Sequence, residues 1–345
     1  MKVDTLFILN SFTAKLNLIF KLGIIALLLS TKLQAQDLGF IVEEANKVYE
    51  SKNFAAAAEK YAEALKADSS NINTRYKLAF SLNYLGRGLE ALPHLQTVTE
   101  SATSQAIKVS CFGLMGNIYD QTGFPGKAIP NYLSGIRIDS TDYSLHYGLG
   151  LAYFRDKRFV KAEESALNSI KLNPKHAPSV RLYALVTFHQ NKRAPAFLAL
   201  CNFLWMEPLG QFAIEALNNM QSIIKGGVLK TGTATKPPGN EKTIMLNKAI
   251  TGAVTKVGAQ NLRDKSTLFR EQLKAIFNSV GEATNQTDEA YFRDLSNLYY
   301  KLSQINHLST FAYYISQSTD KNSAAWVAAH TAEVKELKKW RESGE

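Results

Sequence analysis

Between Leu38 and Lys225 apolar positions recur at intervals of three and four, in paired blocks separated by short polar stretches holding Gly, Asn or Pro. That spacing predicts amphipathic helices joined as hairpins, and no segment offers the strict alternation of a half-buried strand. A longer period is nested in the short one. The step from Ala57 to Ala91 is 34, as are the steps from Ala128 to Ala162 and from Ala162 to Ala196, while from Ala91 to Ala128 it is 37. Laying 38–71, 72–105, 109–142, 143–176 and 177–210 over one another completes the register. Twelve positions before these alanines stand Ala45, Ala79, Gly116, Gly150 and Ala184, and four after them Tyr61, Leu95, Tyr132, Ala166 and Leu200. A small residue on each helix lets the two axes of a hairpin approach to about 8–10 Å. The large residues then fill the space between neighbouring units, because one hairpin cannot bury its apolar face alone.

A two-helix unit repeated five times in this register, with Pro174 and Pro208 closing the fourth and fifth units, resembles the tetratricopeptide repeat. The resemblance covers about half of the chain. It implies an all-α fold: a right-handed solenoid of helical hairpins spanning 36–225, followed by a smaller C-terminal helical region. Residues 211–225 read as a capping helix stopped by Gly226. Three departures carry structural expectations. The extra residues around 103–108 should lengthen a loop or helix between units two and three. Pro93 and Pro130 fall early in second helices, which should start late or bend. Asn191 stands where a glycine usually ends the first helix, and it tolerates the left-handed conformation.

Residues 226–243 lack apolar period and read as a linker. Lys242-Thr243 is preceded by Glu241 rather than Gly, and no strand leads into it, so this is no phosphate loop. From 244 to 345 helical stripes return: Leu246 to Val257, Leu268 to Val280 capped by Asp264 or Ser266, Tyr291 to Ile305, and a short one through Phe311 and Ile315. A last helix is expected from Asn322, carrying Trp326, Val334, Leu337 and Trp340. This region resembles no family.

The run 22–30 is uncharged and apolar, bracketed by Lys21 and Lys32, with Ala35 a small residue ahead of Gln36. That is the pattern of a secretory signal peptide over 1–35. The run is too short to span a bilayer, so no integral span is expected once it is cleaved. The expected location is the periplasm or the exterior of a bacterial cell. The segment holds four Lys and one Asp, so its removal would lower the net charge of the chain from +10 to +7. The excess is spread out, with no basic arm for nucleic acid. Two cysteines, Cys111 and Cys201, support neither a disulfide scaffold nor a four-cysteine metal site.

The six histidines form no pair at metal-ligand spacing, and no nucleophile elbow, dinucleotide fingerprint or kinase set occurs. No enzyme, cofactor or metal is therefore expected. In the family resembled, first helices line a concave groove. Carried over by register, that implies a partner-binding face of Asn46, Tyr76, Phe80, Tyr84 and Asn117, continued by Tyr147, Arg155, Arg181, Phe188 and His189. Aromatic, amide and Arg side chains are the types that anchor partners. The implied partner is a protein or peptide segment. A clamp for a C-terminal carboxylate is not implied, since Val42, Ser110 and Leu114 stand where its cations would be. The alternative is a ligand-binding or enzymatic activity in 244–345, with the repeats as its mount.

Overall fold

The computed structural model of the chain describes residues 39–102, 104–226, 240–284 and 289–343. The expected signal peptide, and all of the linker except Gly226 and 240–243, lie outside them. Among the described residues the fold is all-α, without strands. Five hairpins come first: α1 (39–50) with α2 (Phe54–Ala67), α3 (Ile72–Tyr84) with α4 (Gly88–Ser101), α5 (Gln105–Gln121) with α6 (Pro125–Ile138), α7 (Tyr143–Arg155) with α8 (Phe159–Leu172), and α9 (Ala177–His189) with α10 (Arg193–Met206). A single helix, α11 (Ala213–Ile224), follows where the cap is expected.

The repeat register is written into the turns. Lys52, Gly86, Gly123, Lys157 and Asn191 all have positive φ, one between the helices of each hairpin. Each stands five positions before a register alanine, and all five alanines are fully buried at the fourth position of a second helix. Asn191 thus takes the left-handed cap expected of it, with φ 58°. The extra residues before the third unit went into α5, which has 17 residues where α3, α7 and α9 have 13. Pro93 and Pro130 correct a different expectation. They sit at the sixth position of helices that start in register with the others, so neither start is late. Both prolines are exposed, and the carbonyl left without a donor one turn earlier is on Leu89 or Gly126, themselves exposed.

The chain divides into two compact units between Ile118 and Tyr119, inside α5. The first has a core of Ala45, Tyr61, Leu78, Leu95, Val98, Cys111 and Met115, all buried. In the second, α6 to α11 pack in sequence, and the C-terminal helices pack onto α10. These are α12 (Glu241–Gly258), α13 (Lys265–Ala283), α14 (Ala290–Ser303), α15 (His307–Ser316), α16 (Lys321–Ala329) and α17 (Thr331–Ser343). The reason lies in α10 itself. Every residue from Ala194 to Leu204 is buried, and a helix apolar all round must be covered on all sides. Its cover comes from α9 and α11 and from α12, α14 and α15. Phe277 of α13 stacks on Tyr299 of α14 at 4.8 Å, and Trp205 of α10 lies 5.2 Å from Tyr314 of α15. Arg341 of α17 caps that face, over Trp205 and bonded to the Asn202 amide oxygen.

The single last helix expected from Asn322 is two. His330 leaves helical geometry, and its backbone N–H bonds Trp326 O at 2.9 Å, with its Nδ1 also at 2.9 Å from that oxygen. The turn lets α17 run back against α15.

Candidate functional site

In the first unit, α1, α3 and α5 border a recess of about 400 Å³ whose walls include Val42, Asn46, Asn73, Tyr76, Lys77 and Ile107. Asn46 is locked in place, its Oδ1 accepting from Tyr61 Oη at 2.8 Å and from Lys77 Nζ at 2.6 Å. Burial, with the Tyr49 and Glu50 charges adding to it, pushes the Tyr61 hydroxyl up to about 12, so it stays a donor. Tyr76 and Phe80, one turn apart, tilt together at 4.6 Å. Asn73, exposed, makes no side-chain hydrogen bond among the described residues. Two of the three Lys77 donors remain after its bond to Asn46. The recess therefore presents an amide, an ammonium and an aromatic edge side by side. Tyr84 sits at the far end of α3, stacked on Phe54 at 4.3 Å yet 60% exposed. Asn117 is exposed on α5.

In the second unit the expected residues are engaged with neighbouring helices. Arg155 of α7 pairs with the buried carboxylate of Asp120 on α5. Arg181 of α9 reaches Glu215 of α11 at 2.6 Å and lies over the Phe212 ring at 3.7 Å. Tyr147 meets the His176 ring edge-on at 5.0 Å, and burial raises its hydroxyl. His189 stacks on Phe159 at 5.3 Å and meets Phe154 edge-on. Phe188 is 4% exposed and belongs to the core. These side chains join consecutive hairpins, and Phe188 is removed from any accessible set. Asn73 belongs to the inward face that the register implies for α3, and Lys77 is the addition that sequence reasoning left out. Its signal was present, since Asn73, Lys77, Phe80 and Tyr84 follow one another at four, three and four along α3.

A buried polar cluster joins the fifth hairpin to the C-terminal helices. Lys192 and Gln190 both bond the Glu163 carboxylate, at 2.6–2.7 Å. Tyr183 donates to Glu289, the residue before α14. Burial raises the Glu289 carboxyl above the ordinary range, the nearby Glu163 charge adds to it, and the Tyr183 bond with Lys192 and Lys242 opposes it. Burial raises Cys111 to about 12 and holds Cys201 well above the ordinary thiol range, so both thiols are inert at neutral pH. Among the described residues no group of His, Cys, Asp and Glu is arranged to hold a metal ion, and no helix is long and apolar enough to cross a membrane.

Over residues 39–226 the chain is an array of helical hairpins whose register resembles the tetratricopeptide repeat, carrying a further helical region docked on its last hairpin. No family model matches the sequence, and no curated protein matches it. Among solved structures, one described as YrrB, a TPR protein with an unusual peptide-binding site, is similar at 16% identity. It covers 52% of this chain and 90% of its own, with a TM-score of 0.46. MamA from Desulfovibrio magneticus RS-1, from residue 41 to its end, gives 15% identity, 49% and 94% coverage, and a TM-score of 0.46. Another MamA structure gives 19%, 58% and 98%, and 0.43.

Proposed function

We propose that the chain is a non-catalytic interaction scaffold that takes an extended protein segment in the recess of α1, α3 and α5. The observation that carries this is the open recess itself. Asn73 offers a peptide unit both a donor and an acceptor, Lys77 offers charge to an acidic side chain, and Tyr76 with Phe80 offers a surface for an apolar one. The chain functions in the cell envelope or outside the cell. Its N-terminal basic and apolar pattern supports this, and N-terminal sequencing of protein from the producing cell should then start at Gln36. An intact Met1 would reject export by cleavage. For binding, peptides selected from a displayed library on the full chain are titrated against the Asn73→Ala/Lys77→Ala variant. Neither side chain is buried, so the fold should survive. A loss of about 2 kcal/mol is expected, the scale of an interface hot spot. Unchanged affinity for every selected peptide would move the binding face elsewhere.

A further inference from the structure

A larger cleft, about 710 Å³, opens in the second unit between α11, α13, α15 and α16. That is a volume in the range of small-ligand sites. One wall is aromatic. Tyr313 of α15 stacks on Trp326 of α16 at 4.5 Å with planes 19° apart, and Trp326 stacks in turn on His330 at 4.1 Å and 5°. The stack holds Tyr313 and Trp326 rigid at the cleft, where Phe269 adds a third ring.

The polar wall carries three kinds of group at once. Asp264 and Asp320 are the caps of α13 and α16. Ser266 Oγ and Thr267 N both bond Asp264 Oδ2 at 2.6 Å, and the Thr267 side chain adds a further bond to the exposed carboxylate. Those bonds hold the Asp264 carboxyl down at about 2, and the Ser323 bond depresses Asp320, so both are acceptors at neutral pH. Arg263 and Lys265 are donors with no ion pair among the described residues. The side-chain amides of Asn218, Gln221 and Asn322 make no hydrogen bond among the described residues and offer both roles.

Separate acceptors, separate donors and amides beside a flat aromatic wall are the complement of a polyhydroxylated ring. Its hydroxyls give to carboxylates and amides and take from Arg and Lys, while its C–H face meets the negative face of an aromatic ring. A nucleotide or inorganic phosphate fits less well. The two helix N-termini that would attract a phosphate are already occupied by Asp264 and Asp320, which repel it. We propose that this cleft is a carbohydrate site, taking a short oligosaccharide. The inference is independent of the recess of the first unit, and the two fail separately.

The test is calorimetric titration of the full chain with cellotetraose, maltotetraose, chitotetraose and tetragalacturonate, with ATP and tetra-alanine as competing chemistries. At least one oligosaccharide should bind saturably. Asn218→Ala and Arg263→Ala alter exposed side chains, and each should weaken that binding about tenfold or more. Tyr313→Ala should weaken it as well, with the fold checked by circular dichroism. The proposal is overturned if no oligosaccharide saturates, or if sugar binding is the same in the Asn218 and Arg263 variants. It is equally overturned if ATP or tetra-alanine binds more tightly than every sugar and is weakened by those same variants.

Discussion

Gly148 lies on the side of α7 that meets α6 and Gly150 on the side that meets α8 and α9, and the same change at each has a calculable result. A Cβ at 148 would stand 2.5 Å from Tyr132 Cε1 and 2.6 Å from its Cζ. Tyr132 is 1% exposed, and its ring has nowhere to swing. At 150 the added carbon would lie 2.9 Å from Leu182 Cδ2 and 3.3 Å from Ser165 Cβ, where a small turn of the Leu182 side chain gives partial relief. Against both clashes works the chain-entropy gain of Gly→Ala in a helix interior, about 0.5–1 kcal/mol. Overpacking a filled core costs about 1–3 kcal/mol. Gly148→Ala should therefore destabilise by about 1–2 kcal/mol net, and Gly150→Ala by less. Gly252 in α12 is the control, since nothing lies within 4 Å of its missing Cβ. There the entropy gain stands alone, and Ala should stabilise by about 0.5–1 kcal/mol. Urea titration followed by far-ultraviolet circular dichroism reads all three midpoints. In a Tyr132→Leu background the Gly148→Ala penalty should shrink, a coupling that a double-mutant cycle isolates. If Gly148→Ala raises the midpoint as Gly252→Ala does, the packing of α6 on α7 described above is wrong.

Two further outcomes follow from the second unit. Because the folded-state Glu289 carboxyl titrates above its unfolded value, its contribution is fully favourable below the unfolded pKa and is lost as pH rises through the folded one. Amide exchange in α14 should quicken on going from about pH 4 to neutrality beyond its intrinsic dependence, and Glu289→Gln, which still accepts from Tyr183, should remove the excess; an equal excess in the variant would reject the assignment. Ending the chain after Gly226 would uncover much of α10, so that fragment should aggregate or unfold without cooperativity in urea, whereas a soluble, cooperatively folding fragment would show that α10 needs no C-terminal cover.

The hairpins were readable because their determinants are local and repeated. Ala57, Ala91, Ala128, Ala162 and Ala196 mark second-helix contacts at fixed distances from residues that must turn left-handed, and both signals survive in one dimension. The docking of the C-terminal helices is non-local and was not read from the sequence, although the missing polar face of α10 is a signal of it. The break at His330 was not readable, since Trp326 and Val334 fit one continuous stripe and only the return of α17 onto α15 demands the bend. The candidate groove was legible in part. Asn46 and Tyr76 do share a recess, but Arg155 pairs with an acid one repeat before it and Arg181 with an acid one repeat after it. Opposite charges one repeat apart are a pattern the register itself exposes. Weighing it would have marked these arginines as fasteners between successive repeats and the helix after them.

The all-apolar character of α10 also sets a timetable. A ribosome adding about 5–20 residues per second needs roughly 7–30 s to travel from Leu204 to Arg341. Early in that interval the most apolar of the described helices has only α9 and α11 as cover, and α12, α14, α15 and the Arg341 cap are added one after another. The second unit is therefore obliged to mature from its last-made end, with the final helix closing over Trp205. The first unit has no such debt, and its core is complete once Ile118 has been added. Any factor that attends this chain at birth should be found on the interval that begins at α10.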